Sequence, residues 1–232
     1  MIGLIGKKLG MMRVFLNDGT AVSVSAIKVE PNYVVYVKSA ETDGYNAIQV
    51  GSIPVKQSRF KKPAVGHFKK ANLTPLKYLK EFRVEDVSGF ASGQELSADI
   101  FSPGDLVDVV GRSRGRGFTG TMKRWDFGGF PKSHGHRYHR AVGSVGNRTD
   151  PGRVWKSKRM AGRHGNETIR VQALLVVDVL KDQGVILVKG SIPGHKDAIV
   201  YIEKSHIGFR RKAQRKQERL SFIPSNILRQ EV

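Results

Sequence analysis

The sequence predicts a mainly β protein in which strands from two separated parts of the chain close one antiparallel barrel or sandwich. Two observations lead to this prediction: short β-patterned runs lie on both sides of a basic segment, residues 111–165, and that segment contains no Leu or Ile. Because neither flanking part offers many strands, we expect both to contribute to one closed sheet, which also removes exposed sheet edges. The basic segment is then a long irregular insertion, and only a few short helices are expected.

The predicted strands show period-two alternation or enrichment in β-branched and aromatic residues, and turn signals separate them. They are residues 21–29, 33–37, 46–50 and 106–110 before the basic segment, and 169–180, 184–189 and 198–203 after it. The first part of the barrel is therefore predicted in residues 1–110, and its completion in residues 166–207. Within the first part, residues at about 55–100 are predicted to be a mixed α/β excursion, with a brief helix at 75–81 and a strand at 80–84.

Positive charge is concentrated in two short stretches. The net charge is +20 over 232 residues; the basic segment holds fourteen Lys or Arg and twelve Gly against two acids, and residues 208–219 of a basic C-terminal tail (208–232) hold six Lys or Arg against one acid. A segment of this composition cannot bury enough apolar surface to offset the entropy lost on ordering. We therefore expect a polyanion, nucleic acid or an anionic membrane, to give the basic segment its shape.

Nucleic acid is the preferred partner. No run approaches the roughly 18 consecutive apolar residues of a spanning helix, and the N-terminal residues lack a signal-peptide core, so we expect a cytoplasmic protein with no membrane partner. The chain contains no Cys, which excludes disulfides and thiolate metal sites. No cofactor and no small-molecule substrate is expected.

Two pattern matches suggest the alternative of a hydrolase or nucleotide-binding enzyme that uses the turn from Gly111 to Gly120. Residues 111–115 satisfy the Gly-x-Ser-x-Gly motif, but two Arg would surround the nucleophile Ser113 with positive charge and the neighbouring pattern is not α/β. Residues 115–120 satisfy Gly-x-Gly-x-x-Gly, but a dinucleotide site needs an acid about 20 residues later, where this chain has Arg140. The glycines still allow backbone N–H groups to approach a phosphate closely. We expect no catalytic residue.

Four histidines of the basic segment raise the alternative of a metal site. They are His134, His136, His139 and His164. Zinc bound without Cys usually needs carboxylate ligands and a rigid scaffold, and the segment offers neither. Histidine in a basic segment more often stacks on bases or binds phosphate, so RNA contact is the preferred interpretation and no metal is expected.

Aromatic residues interleaved with cations are the strongest functional signal. Arg binds phosphate through two N–H groups, and aromatic rings stack on unpaired bases at roughly 1–3 kcal/mol each. Both Trp of the chain lie here, although Trp125 could instead pack as a structural residue on the barrel. The predicted RNA-binding residues are Arg112, Arg114, Arg116, Lys123, Arg124, Trp125, Lys132, His134, His136, Arg137, His139, Arg140, Arg148, Arg153, Trp155, Lys156, Lys158, Arg159, Arg163 and His164. A DNA-architectural protein is the other binding alternative, since residue chemistry alone favours RNA only modestly.

A set of residues around Gly111 follows the spacing of a known family signature. They are Phe101, Asp108, Gly111, Ser113, Gly115, Arg116, Gly117, Gly120 and Arg124. Together with residues 2–11 and 158–162, they resemble the family of universal large-subunit ribosomal protein three, over residues 1 to about 205. The resemblance implies a closed six-stranded barrel of the translation-protein type and a structural constituent of the ribosome.

The resemblance also implies partners. Family members bind 23S ribosomal RNA early in the assembly of the 50S subunit, near the 3′ end of that RNA, and touch neighbouring large-subunit proteins. Their long loop extends toward the peptidyl transferase centre, and residues 127–155 correspond to its inner part. Some bacterial members carry a methylated Gln in this loop, but residues 111–165 contain no Gln, so we expect no such modification. The residues from 208 onward continue past the usual end of the family.

Overall fold

The computed structural model describes residues 2–15, 19–205 and 207, and these residues are mainly β. Their strands are β1 (Gly3–Phe15), β2 (Ala21–Lys28), β3 (Asn32–Lys38), β4 (Ala47–Pro54), β5 (Leu76–Arg83), β6 (Glu95–Leu96), β7 (Leu106–Arg112), β8 (Phe118–Thr119), β9 (Gly162–Arg163), β10 (Thr168–Leu180), β11 (Val185–Lys189) and β12 (Ile199–Lys204). Their helices are α1 (Ala40–Asp43), α2 (Lys62–Lys70) and α3 (Thr121–Trp125), with single 3₁₀ turns at Gln57–Arg59 and Ala98–Ile100. The predicted tail, 208–232, lies outside the described residues.

Six strands close an antiparallel barrel in the order β1-β12-β7-β10-β11-β2. Three of them precede the basic segment and three follow it, and β7 pairs with both β10 and β12. Gly111 of β7 lies opposite Ile169 on one side and Val200 on the other. The prediction of a mainly β fold with a closed six-stranded barrel is confirmed, and closure satisfies the backbone groups that an open edge would expose.

A second sheet of four antiparallel strands follows the order β5-β4-β3-β6. The brief helix predicted at 75–81 is wrong, because residues 76–81 lie in β5, which pairs with β4. Leu76 and Phe82 are buried while Lys77 and Arg83 are exposed, the two-sided pattern of a strand. The helix of this region is α2, in which Val65 and Phe68, three residues apart, are the buried side chains.

The main apolar core joins the barrel to the second sheet. Leu4, Val109 and Ile202 from barrel strands cluster with Val34 and Ile48 from β3 and β4, and all five are fully buried. Full burial of an aliphatic side chain of this size stabilises a fold by roughly 1.5–3 kcal/mol. Hydrophobic contacts in this core therefore hold the barrel and the second sheet together.

Two buried charged residues reinforce the barrel. The Lys8 side chain donates hydrogen bonds from Nζ to the carbonyl oxygens of Ile192 (2.8 Å) and Gly194 (3.0 Å), in the connection between β11 and β12. Asp108 on β7 accepts from the Arg170 guanidinium at 3.3 Å and from the backbone N–H of Ala173 at 3.0 Å. Ala173 has a φ of 52° and lies where the register of β10 shifts, so this carboxylate fixes an irregular part of the barrel.

The described residues divide into two units. One, here the barrel unit, contains the barrel and the second sheet; the other, the inserted unit, is Ser113–Glu167. Across the described ranges, none of the helices is long and apolar enough to cross a membrane.

Candidate nucleic-acid interface

The inserted unit is held by a small frame of backbone hydrogen bonds. Strands β8 and β9 pair so that Phe118 lies opposite Arg163. The Arg116 N–H donates to the His164 carbonyl, and the His164 N–H donates to the Gly117 carbonyl, both at 2.9 Å. A further backbone bond of 2.9 Å joins the two ends of the unit, from Ser113 N–H to the carbonyl of Glu167. The unit thus has local structure where its two ends meet.

Two glycines of this frame, Gly162 and Gly165, lie very close to neighbouring atoms. Gly165 has a φ of 73°, and a Cβ placed on it would collide with the backbone carbonyl of Arg114. A Cβ on Gly162 would lie 2.5 Å from Nη1 of Arg124. The backbone therefore excludes any side chain at Gly165, whereas a side chain at Gly162 would require the Arg124 guanidinium to shift.

Helix α3 fixes Trp125 against the other side of the frame. The indole Nε1 of Trp125 and Nη1 of Arg124 both donate to the carbonyl oxygen of Met160, at 2.9 and 3.0 Å. The guanidinium carbons of Arg124 and Arg159 lie 5.0 and 5.3 Å from the centre of the Trp125 ring. Trp125 therefore has a positioning role inside the inserted unit, because its N–H binds the Met160 carbonyl and its half-buried ring contacts the guanidinium groups of two Arg.

Two of the four histidines predicted for RNA contact, His136 and His139, have side-chain partners within the inserted unit. The His136 ring stacks on Phe130 with centroids 4.6 Å apart and an interplanar angle of 15°. Nδ1 of His139 lies 2.9 Å from the carbonyl oxygen of Pro131. Throughout the described ranges, no group of three or more His, Asp or Glu is placed to hold a metal ion. His136 and His139 thus shape the loop around Phe130.

The cations of the basic segment are exposed and uncompensated. Of its fourteen Lys and Arg, all but Arg124 are exposed. Over the residues that the structure covers, none of the fourteen has a carboxylate oxygen within 4.0 Å; the ion pairs found there all lie in the barrel unit. The inserted unit also contributes no buried hydrophobic side chain. The exposed cations therefore form a dense positive surface without counter-charge. Such a surface attracts polyanions.

The predicted site residues fall into two groups by exposure. Four are half-buried, namely Arg124, Trp125, His136 and His164. The other sixteen are exposed. The half-buried four belong to the frame or to the Phe130 stack, so direct contact with a ligand falls mainly to the exposed group.

Exposed aromatic rings accompany these cations. Trp155 is 58% exposed with the Arg153 guanidinium 5.1 Å from its ring centre, and Tyr138 is 60% exposed with Arg137 at 5.7 Å. Phe118 is 81% exposed and was not among the predicted site residues. Phe118 could have been identified as a site residue from its place on β8, where it lies opposite the cation Arg163. Each ring offers a face for base stacking beside a phosphate-binding group.

Within the described part of the chain, the turn from Gly111 to Gly120 is not arranged for catalysis. The Ser113 hydroxyl accepts a hydrogen bond from the Glu167 backbone N–H at 3.2 Å, and Asp108 is occupied by Arg170. Residues Phe118–Thr119 form β8, where a dinucleotide site would continue from its turn into a helix.

The sequence of this chain matches known proteins of one family. The family model described as Ribosomal protein L3 matches residues 81–182. A protein of Hydrogenobaculum sp. (strain Y04AAS1), named large ribosomal subunit protein uL3, is 89% identical over 232 residues, which is 100% of both chains. The chain belongs to the ribosomal protein uL3 family. Proteins with the same name are 58% identical in Aquifex aeolicus (strain VF5), covering 99% of this chain and 96% of the relative, and 49% identical in Thermosipho melanesiensis, covering 88% and 98%.

Membership of the uL3 family confirms the resemblance carried by the signature around Gly111. The family is a structural, non-enzymatic one, so the alternative of a hydrolase or nucleotide-binding enzyme is set aside. As a ribosomal protein the chain is a structural constituent of the ribosome and is cytoplasmic, as predicted.

Proposed function

We propose that this chain binds 23S ribosomal RNA of the large subunit through Arg112 and the inserted unit. The observation that carries the proposal is the set of exposed cations of the basic segment, which have no carboxylate partner over the residues that the structure covers and no apolar core beneath them. Like charges held this close repel each other, and a phosphate backbone relieves the repulsion.

The exposed rings favour RNA with unpaired bases over duplex DNA. Trp155 and Tyr138 each present a ring beside a guanidinium, an arrangement that stacks on a base and binds the adjacent phosphate. Bases are available for stacking in the loops and bulges of folded RNA, whereas those of a DNA duplex are stacked on each other.

The composition of the inserted unit also supports a role early in assembly of the 50S subunit. Because no hydrophobic side chain of the unit is buried, RNA packed around it supplies much of what holds its final shape. An element of this kind has to enter before the surrounding RNA closes. Residues 127–155, which correspond to the inner part of the family's loop, would extend toward the peptidyl transferase centre, and the barrel unit would meet neighbouring large-subunit proteins.

Salt titration of RNA binding tests the proposal. The full chain is compared with a variant in which Arg148, Arg153, Lys156 and Arg159 are changed to Gln, using 23S RNA transcribed in vitro. Each lost phosphate contact lowers the slope of log K against log salt by about 0.7–0.9, so the slope should fall by about 3. The matched control changes four exposed lysines of the barrel unit to Gln. They are Lys28, Lys181, Lys196 and Lys204.

Two outcomes would contradict the proposal. The first is an equal fall in slope for the control and for the variant of the inserted unit. The second is tighter binding of duplex DNA than of 23S RNA in direct competition. Limited proteolysis gives a separate check, because the RNA-free chain should be cleaved within residues 113–163 and protected there when RNA is bound.

A further inference from the structure

A second positive surface lies in the barrel unit around α2. Residues 56–80 contain eight Lys or Arg and no acid, although residues 1–110 as a whole hold fourteen cations against eleven acids. Seven of the eight are exposed, and Lys80 is half-buried. None has a carboxylate oxygen within 4.0 Å over the described residues, whereas Lys7, Lys38 and Lys181 of the same unit are paired. Over the described residues, these cations are therefore not paired with the acids of their own unit.

A groove of ≈ 670 Å³ lies on this surface along one face of α2. Its lining residues are Gln57, Ser58, Phe60, Lys62, Val65, Gly66 and Lys69. Lys62 and Lys69 are seven residues apart, so both lie on the same helix face, about 10 Å apart along the axis. The half-buried Phe60 ring is fixed by an edge contact with Phe68 at 5.9 Å. The groove thus has an aromatic wall, polar groups and a cation toward each end.

Gly66 is the most informative residue of the groove. It lies in the interior of α2, where glycine lowers helix stability relative to alanine. A Cβ added at Gly66 would meet nothing within 4 Å, so packing inside the chain does not require glycine there. The missing side chain instead leaves the helix backbone open to close approach from outside.

We propose that this groove binds one unpaired nucleotide of an RNA strand. The base lies against Phe60 and the backbone at Gly66, the amide of Gln57 and the hydroxyl of Ser58 face its polar edge, and Lys62 and Lys69 bind the phosphates on either side. The volume suits a nucleotide, and the pairing of an aromatic wall with two ammonium groups matches a base flanked by phosphates. An acidic protein segment would use the cations but not the ring. The inference rests on the proposed function only in taking ribosomal RNA as the partner.

The test uses three full-length variants with 23S RNA transcribed in vitro. The double variant Lys62→Gln with Lys69→Gln should lower the salt slope by about 1.4–1.8, as expected for two lost phosphate contacts. Its matched control is Lys181→Gln with Lys204→Gln, two exposed lysines that already have carboxylate partners at 3.5 and 3.6 Å, and this change should leave the slope unchanged. Gly66→Leu fills the groove with a good helix former, so it should weaken binding about tenfold, within the range of one lost base stack.

The Gly66→Leu variant also separates binding from folding. Because the added side chain enters open space and improves helix propensity, its Tm should equal or exceed that of the unchanged chain. A lower Tm would overturn the inference, since the space would then not be open to a ligand. Unchanged RNA affinity in the groove variants would also overturn it, and the groove would then have to serve another partner or none. The variant of the inserted unit tests the proposed function separately, so either idea can fail while the other survives.

Discussion

Replacing Lys8 with Met should destabilise the barrel far more than the same change at its neighbour Lys7. Lys8 is only 7% exposed, and its ammonium group binds two carbonyl oxygens between β11 and β12. Leaving two buried carbonyls without this donor costs about 1–3 kcal/mol each, and removing a buried charge returns part of that cost. We therefore expect a loss of about 2 kcal/mol, equivalent to a fall in Tm of about 4–8 °C for a chain of this size.

Thermal unfolding followed by circular dichroism at fixed salt measures this difference. Lys7 is the matched control, because its Nζ pairs with Asp197 at 3.1 Å at the surface, where an ion pair contributes about 0–1 kcal/mol. Met keeps most of the length of the lysine side chain in both variants, so the comparison isolates the ammonium group. Equal falls in Tm for the two variants would refute the conclusion that buried Lys8 anchors the connection between β11 and β12.

Three further predictions concern other parts of the chain. Asp108→Asn removes a buried carboxylate charge from β7 and should lower the free energy of unfolding by about 2 kcal/mol, measured by urea titration; no change would contradict its role in the barrel. Gly165→Ala places a methyl group against the Arg114 carbonyl, so protease cleavage of the inserted unit should accelerate while the unfolding of the barrel unit stays unchanged. The Tyr45 hydroxyl lowers the pKa of Glu81, so this carboxylate stabilises the fold above its unfolded pKa near 4.5 and the stabilisation is lost as pH falls; Tyr45→Phe should lower Tm at pH 7, and the difference should shrink by pH 3.

Seven longer strands, β2, β3, β4, β7, β10, β11 and β12, could be predicted because alternating or β-rich runs reveal them locally, but β1 was not predicted and the pairing of the strands could not be. Period-two alternation is visible within a few residues, whereas the choice of sheet depends on distant partners. Thus β3 and β4 have strand patterns like those of β2, yet they pair with β5 and β6 in a sheet apart from the barrel. Helix α2 was missed because it is short and has Gly66 in its interior, which weakens the helical signal.

The residues of the candidate site could be predicted from composition. Which of them are exposed, and which hold the inserted unit together, could not. Charge density and ring content identify the basic segment, and these are properties of the sequence alone. Which rings are free depends on contacts between residues far apart in the chain. Trp125 uses its N–H on the carbonyl of Met160, 35 residues later, while Trp155 remains 58% exposed. Phe118 lies outside the aromatic and cationic clusters that the sequence shows, and its place opposite Arg163 is apparent only from the pairing of β8 with β9.

The pairing of Arg112 with Thr168, at the ends of β7 and β10, has a consequence for how this protein can change. The barrel holds the two anchor points of the intervening chain side by side, so the entropy of closing that loop depends only weakly on its length, at about 0.6 kcal/mol for each doubling. Insertions, deletions or a transplanted stretch from another source can therefore be accepted there at little thermodynamic cost. A variant with a short hairpin turn in the same place would be a minimal scaffold. The stability of the barrel with each transplanted stretch could be compared with the stability of that variant.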